Sequence, residues 1–558
     1  MVRPSWELVE QSRAESVQQV LEILLRNRGL GPSFLTCSLK DLEPHLNMCG
    51  MSEGAALMAR HLFKGHKVVL VADYDCDGVT SAAQMSLFLR DIGYTNYEVV
   101  IPCRSEGYGM PERAVEENSD ARLFVLLDCG TSDVKSIAKA SATNADTLVI
   151  DHHEVPEGGP APATIFINPK QPGCPSQFKE FSSAGLTLLF LTRLRKAING
   201  RFPTPRLGAK YLSLATVGTV ADIVPLLDGN RILVRSGLRY LNASSYPPLR
   251  GVVQASGLSG KTLTAGHIGY YVGPRINAAG RVADARIAYD LLTADQPEEI
   301  LRLARELNRL NAMRQAEEDA VLRQVRERFD KGKAGRRTLV MGGPAWHAGV
   351  VGVVAAKVQQ ELLYGPAIIL SMDEANGQAR GSGRSIPGFD IHAAVKKCDD
   401  LLLKWGGHKM AVGMTVALDR MDEFADRFEE VAREYPANLF VPKAKADMEL
   451  DLDLVSDELV GLLKDMEPHG MGNPTPVFAA RGIRVSIQKT FGREQGHLRL
   501  VAGGRIDAVF WKGVRHYQAR PWHADDFLDI VFQVEWDDYR RKPLLNVKDI
   551  GNLFGKTN

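Results

Sequence analysis

Carboxylates and histidines recur directly after short, strongly apolar runs through the first 225 residues, and this arrangement narrows the folds open to the chain. Asp73, Asp75 and Asp77 follow KVVLVA in VADYDCDG, Asp128 follows RLFVLL, Asp151, His152 and His153 follow TLVI, and Asp222 lies in GTVADIVP. Runs rich in β-branched residues and leucine, closed by polar groups, read as buried strands. Ligands of an open parallel sheet gather outside the carboxyl ends of its strands, so three such runs bring these side chains to one crevice. Oxygen donors mixed with imidazole suit Mn²⁺ or a similar divalent ion, and this many ligands points to two ions.

Each piece also has an ordinary reading. Asp-x-Asp-x-Asp-Gly opens a calcium-binding EF-hand loop, but the closing acid would fall on Gln84, and a strand precedes the motif where a helix is required. A lone Asp after a strand, such as Asp128, is usually a turn or capping residue. Asp151 beside the histidine pair is suited to orienting an imidazole. A second decoy is Ala255-Ser-Gly-Leu-Ser-Gly260-Lys261-Thr262, which fits a relaxed phosphate-loop pattern. It lacks a buried strand before it, and Gly266 and Gly269 interrupt any helix after it, so ATP binding is rejected.

The chain of 558 residues is long enough for three or four domains. Its 68 basic and 67 acidic residues leave a net charge of +1, so a nucleic-acid surface has to come from segregated charge. Seven cysteines without a Cys-x-x-Cys pair fit a reduced compartment. The opening MVRPSWELVEQSRAES has no apolar signal core, and no long apolar run follows. A cytoplasmic protein without membrane contact is expected.

The fold class expected is α/β. Residues 1–49 read as a helical lead-in, with VQQVLEILLRNRG at helical spacing. Residues 50–225 alternate strands and helices as a doubly wound domain does. Residues 226–336 read as a helical connector. Its long helix follows what looks like a capping box at Asp295-Gln-Pro-Glu298 and is suited to spanning two domains and shaping a cleft between them. A second α/β unit covers 337–435, PANLFVPKAKA reads as a linker, and 446–558 carries the short alternating strands of a small β-barrel. Between Arg481 and Arg520 stand nine Lys or Arg against two acids, with Phe491, Phe510, Trp511, Tyr517 and Trp522 in or beside the stretch. Basic groups and aromatic faces of this kind hold single strands, and the competing reading is that about half of the aromatics fill the barrel core.

DYDCDG, LLDCGTS, Asp-His-His and GTVADIVPL, in this order, resemble the four motifs of the DHH phosphoesterases. PCRSEGYGM, GPRINAAGR, WHAGVVGVVA, ARGSGRSIPGFD, GGHKMAVGMT and HGMGNPTPVF resemble further motifs of the RecJ family of bacterial single-strand-specific 5′ to 3′ DNA exonucleases. The resemblance runs from about residue 50 to the C-terminus. It implies a DHH catalytic domain with a parallel sheet, a DHH-associated domain after the connector, and an OB-like C-terminal barrel. It also implies two-metal hydrolysis of single-stranded DNA that releases 5′-mononucleotides in repair and recombination, with Mn²⁺ or Mg²⁺. Asp75 would hold one ion, Asp77, His152 and Asp222 the other, and Asp128 both. Asp73 and His153 stay open, as further ligands or as loop support and phosphate donor respectively.

Arg104, Tyr108, Arg275, Asn277 and Arg281 are expected to contact DNA. Gly381–Ser385 offers backbone donors, hydroxyls and a guanidinium suited to a terminal phosphate, and the resemblance to the RecJ family implies that Ser382 and Arg384 there hold the 5′ end. His347 and His408 read either as catalytic support or as ordinary satisfied histidines. The same resemblance implies single-strand-binding protein and a helicase as partners, and a monomer is expected. Two alternatives differ from this reading: a DHH phosphodiesterase for short oligonucleotides or cyclic dinucleotides, and a replication scaffold with a dead site.

Overall fold

Three strands buried on both faces organise the first half of the chain. In the computed structural model, which describes residues 4–243, 246–329 and 335–554, the runs singled out above are β1 (Val68–Ala72), β3 (Leu123–Leu127) and β4 (Asp146–Ile150). With β2 (Tyr97–Val100) and β5 (Ile165–Ile167) they form a fully parallel sheet of order β2-β1-β3-β4-β5. Val68, Leu70 and Ala72 enter one apolar core while Val69 and Val71 enter another. A sheet covered on both sides needs such continuous apolar runs. Chain order reverses between β1 and β3, so the crevice of this sheet opens beside the residues that follow those two strands.

On one face lie α1 (Cys76–Asp91), α2 (Ser183–Ala197) and α3 (Ala209–Ala221). α1 is buried from Cys76 to Leu89 and carries many small residues, which lets its neighbours approach closely. A Cβ on Gly218 of α3 would collide with Thr80 of α1.

The chain divides into two compact units, one of residues 33–314 with 468–474, the other of 1–32, 315–467 and 475–558. This differs from the expected layout in three places. The stretch 226–336, expected as a connector, first contributes helices whose Leu249, Val252, Ile276, Ala288 and Leu291 enter the core of the parallel sheet. These helices include α4 (Gly273–Val282), and they belong to the first unit because their apolar faces are buried in its core. Only α5 (Pro297–Phe329), 33 residues long, runs on into the second. Its Asp295 does not make the expected capping box: the helix begins at Pro297, which puts Gln296 and not Asp295 at the capping position, and the Asp295 carboxylate takes a hydrogen bond from Arg90, 3.1 Å away. The lead-in is also split, because Ser5–Leu8 pairs in parallel with Lys443–Ala446 of the expected linker. Residues 1–3 and 555–558, at the ends of the first and last expected segments, lie outside the described residues.

The second unit holds a mixed sheet: β6 (Leu339–Pro344), β7 (Ala367–Asp373), β8 (Gln378–Arg384), β9 (Leu402–His408) and β10 (Ala411–Ala417), in the order β9-β10-β8-β7-β6. α6 (Val351–Glu361) packs on β7 and β8. Its barrel runs from Met448–Glu449 through β11 (Phe478–Phe491), β12 (His497–Ala502), β13 (Ile506–Phe510), β14 (Phe527–Asp537) and β15 (Lys542–Gly551). Pairing of β11 with β14 closes it. No described helix is long and apolar enough to cross a membrane.

Candidate metal centre and nucleic-acid interface

The sheet ladder continues one residue past each strand that carries the motif residues. The Asp73 N–H donates to the Leu127 carbonyl, that of Asp128 to Ile150, and that of Asp151 to Ile167, at 3.0–3.2 Å. Asp73, Asp128 and Asp151 therefore stand in one row at the carboxyl edge. Asp75 caps α1, accepting from the N–H groups of Asp77 and Gly78 at 2.9 and 3.1 Å. Asp77, fully buried in the first turn, accepts from the Ser183 and Ala184 N–H groups at 2.7 and 2.9 Å, so the start of α2 aims it. Asp222 ends α3.

These elements bring all six expected catalytic residues together. His152 Nε2 lies 3.4 Å from a carboxylate oxygen of Asp128, 3.4 Å from one of Asp222 and 3.9 Å from one of Asp77. Three overlapping groups have ligand atoms within 4.8 Å of one another: Asp73, Asp75 and Asp128; Asp77, His152 and Asp222; Asp128, His152 and His153. Among the described residues, the buried atoms Asp73 Oδ1, Asp128 Oδ1 and His152 Nε2 have no hydrogen-bond partner. Leaving such groups unpaired is costly unless a cation takes them up, and the donor set of carboxylates with one imidazole fits two divalent ions.

The electrostatics agree. Burial, then the nearby Asp75, raises Asp73 to about 8 and Asp77 to about 7. Burial and crowding by the other carboxylates push Asp128 and Asp222 well above the usual range. Burial lowers His152 to about 4, which keeps its imidazole neutral and able to ligate. Bound cations reverse the logic for the carboxylates by favouring their charged form.

Behind the two histidines lies a supporting layer. Asp151 accepts from His153 Nδ1 at 2.7 Å, from the His152 N–H at 2.7 Å and from the Thr131 hydroxyl at 2.6 Å. Burial alone would raise this carboxyl, but the His153 hydrogen bond and charge hold it below its usual value. His153 is raised to about 8: burial would lower it, and Asp151 outweighs that. The Asn168 amide donates to the His153 carbonyl at 2.9 Å. Thr131 and Asn168 were missed from sequence, although Asn168 follows the apolar IFI of β5 just as Asp128 follows β3.

The expected DNA contacts separate into two kinds. Tyr108 joins the centre itself. Its hydroxyl donates to the Asp128 carbonyl at 3.0 Å and its half-exposed ring meets His153 edge-on. Arg104 lies over the Tyr74 ring and donates to the Gly280 carbonyl at 3.1 Å. Arg275 is tied to Asn308 and to the Tyr271 carbonyl, and Arg281 sits on the same helix, α4. Asn277 uses its carbonyl oxygen to accept the N–H of Cys76 at 2.7 Å, holding the start of α1, a helix end that needs an acceptor.

Gly381–Arg384 likewise differs from expectation, since these residues form the central strand β8 and pair on both sides. Their backbone groups are consumed by the sheet, leaving side chains as the available donors. Arg384 Nη1 donates to the Ser382 hydroxyl at 2.7 Å, which in turn donates to the Val412 carbonyl. Burial lowers the Arg384 pKa, and among the described residues no carboxylate pairs with it. Gly352 in the first turn of α6 lies against both side chains: a Cβ there would sit 3.1 Å from the guanidinium. His347 is an exposed turn residue accepting from the Gly349 N–H, and His408 is exposed at the end of edge strand β9.

On the barrel, Phe510 and Trp522 are core residues, while Phe491, His497 and Trp511 form a ring cluster with centroids 4.9–5.4 Å apart and Trp511 mostly exposed. Part of the basic excess is neutralised from outside the stretch: Arg481 pairs with Glu449, Arg505 with Asp453 and Arg499 with Asp537.

Three family models match in succession: the DHH family N-terminal domain over residues 67–219, the DHHA1 domain over 335–434 and the RecJ OB domain over 446–549. The single-stranded-DNA-specific exonuclease RecJ of Salmonella typhimurium (strain LT2) is 31% identical over 535 residues, covering 89% of this chain and 91% of that protein. The chain belongs to the RecJ family. RecJ of Bacillus subtilis (strain 168) is 30% identical over 565 residues, 98% of this chain and 70% of its own. The crystal structure of RecJ from Thermus thermophilus in complex with Mn²⁺ superposes with a TM-score of 0.82 at 27% identity, covering 98% of this chain and 79% of that one. A Mg²⁺ complex of the same RecJ superposes with a TM-score of 0.77 at 26% identity, covering 98% of this chain and 78% of that one. The RecJ OB model accounts for the closed barrel, and the metal-bound RecJ structures accord with a centre built for Mn²⁺ or Mg²⁺.

Proposed function

We propose that this chain is a metal-dependent exonuclease that hydrolyses single-stranded DNA from its 5′ end and releases 5′-mononucleotides, in DNA repair and recombination. The observation that carries the chemistry is the convergence of unpartnered, buried ligand atoms of Asp73, Asp128 and His152 in a chain of the RecJ family. Asp75 and Asp128, with Asp73, would hold one ion, and Asp77, His152 and Asp222 the other, with Asp128 shared. When bound, two such ions activate water for attack on the phosphodiester and stabilise the departing oxygen. Asp151 fixes the Nδ1–H tautomer of His153, leaving Nε2 to ligate or, when protonated, to donate to a phosphate oxygen. Tyr108 steadies the same imidazole and presents a ring face to a base.

Polarity is assigned to Arg384. A half-buried guanidinium with no acid partner among the described residues, beside a hydroxyl and the first turn of a helix, suits a terminal phosphate. The barrel would grip the strand through Trp511 and its exposed cations. Single-strand-binding protein, a helicase, a monomeric state and a cytoplasmic location complete the proposal. Matched assays with 5′-labelled and 3′-labelled single strands, with Mn²⁺ or Mg²⁺ and with chelator, test it. Label should leave the 5′ end first and only with metal, and release from the 3′ end would reject the polarity.

A further inference from the structure

Directly after Asp222, Ile223 takes a left-handed backbone with φ 62. This is the position just past a helix where glycine or asparagine usually stands, because a Cβ there crowds the following carbonyl. A β-branched residue in this conformation is an outlier. Its N–H closes the last turn on the Val220 carbonyl at 3.3 Å, so the conformation is held and not relaxed. Burial offers no compensation either: Ile223 is 66% exposed, while Val224 and Leu226 beside it are buried. Strain kept without benefit to the fold is a mark of function.

The surroundings point to the kind of contact. Asp222, one residue back, belongs to the metal cluster. Met471, also exposed, is fastened to the same loop by its carbonyl, which accepts the Leu226 N–H at 2.8 Å. An aliphatic side chain has nothing to offer a phosphate or a hydroxyl, whereas every base presents an apolar face. We propose that Ile223 is a substrate-positioning residue whose side chain seats the face of a nucleobase in the nucleotide cut beside Asp222. This rests on the exonuclease reading given above.

Ile223→Gly separates the two roles because glycine relieves the strain. The variant should melt above the wild type, keep kcat within about twofold, and raise KM for a single strand on the order of tenfold. Ile223→Leu should restore KM without restoring the higher melting temperature. On a strand whose first three nucleotides are abasic, the wild type and Ile223→Gly should share one KM. An unchanged KM on ordinary strands would show the side chain to be incidental, and a gap that persists on the abasic strand would move the contact to the sugar and overturn the proposal. Failure of the wild type itself to degrade single strands would overturn the exonuclease reading, and this inference with it.

Discussion

At the scale of single residues, the centre is defined by which atoms are left without partners. Asp128 stands between the two ligand groups, so Asp128→Ala should lower turnover about a thousandfold or more, while binding to single strands persists through distant phosphate contacts. Near wild-type turnover at limiting manganese would remove the shared-ligand assignment. Arg384→Ala should cut the preference for a 5′-phosphate over a 5′-hydroxyl by about tenfold to a hundredfold, the scale of a charge-assisted hydrogen bond. Equal discrimination in kcat/KM would move the phosphate site elsewhere, with Arg281 the next candidate. The raised carboxyls also set a pH dependence for metal-free protein. Asp73 and Asp77, at about 8 and about 7 against a usual 3.8, bind protons in the folded state that the unfolded chain has lost. Their contribution is therefore fully present below the usual 3.8 and is lost progressively as pH rises from there to the folded values of about 7 and about 8. Melting temperature in chelator should fall across that window and should flatten with saturating Mn²⁺. Identical profiles with and without the ion would contradict metal binding at these carboxylates.

At the scale of elements, the motif loops are held by helices far away in sequence. α4 presses against the loop of Asp73 and Asp75: a Cβ on Gly280 would collide with the Tyr74 carbonyl oxygen, and Asn277 holds the N–H that opens α1. Gly280→Ala should therefore displace the loop, weaken Mn²⁺ affinity by about 10–100-fold, as loss of supporting contacts does, and leave circular dichroism unchanged. Wild-type affinity measured by calorimetry would show that the loop has room to move. GPRINAAGR was legible as a motif, but the support that Asn277 gives to α1 was not. A conspicuous polar residue gives no sign whether it faces a ligand or an orphan helix end, and that choice is made by packing between segments 201 residues apart.

At the scale of the whole molecule, chain order and spatial grouping diverge. Residues 468–474 lie between barrel segments in sequence, yet they belong to the unit of the parallel sheet, where the Met471 carbonyl meets Leu226. Deleting 446–558 would remove that loop together with the barrel, and also the partners of Arg13 and Arg28. Point changes are the cleaner test. Arg493, Lys512 and Arg515 are exposed on the segments that carry Phe491 and Trp511, and their joint replacement by Ala should weaken single-strand binding. The plot of log K against log salt should become shallower by roughly 0.7 per lost contact. An unchanged slope in a folded variant would make this surface a face for something other than DNA.

Sequence alone determined the strands that carry the metal residues, their order and the ligand chemistry. Runs such as VVLVA and LFVLL are buried on both faces in any fold that accepts them, and the polar residue after each must stand at the sheet edge. It also determined the long helix after Gln296, because the spacing of Ile300, Leu303, Leu307 and Leu310 admits one period. Tertiary structure decided what local patterns do not contain. It spent the backbone of Gly381–Arg384 on a central strand, turned Asn277 inward, sorted Phe510 and Trp522 from Trp511, and drew acids from distant segments onto Arg481, Arg499 and Arg505. Periodicity reports whether a side chain is buried. Which group it meets depends on segments brought together only when the chain has packed.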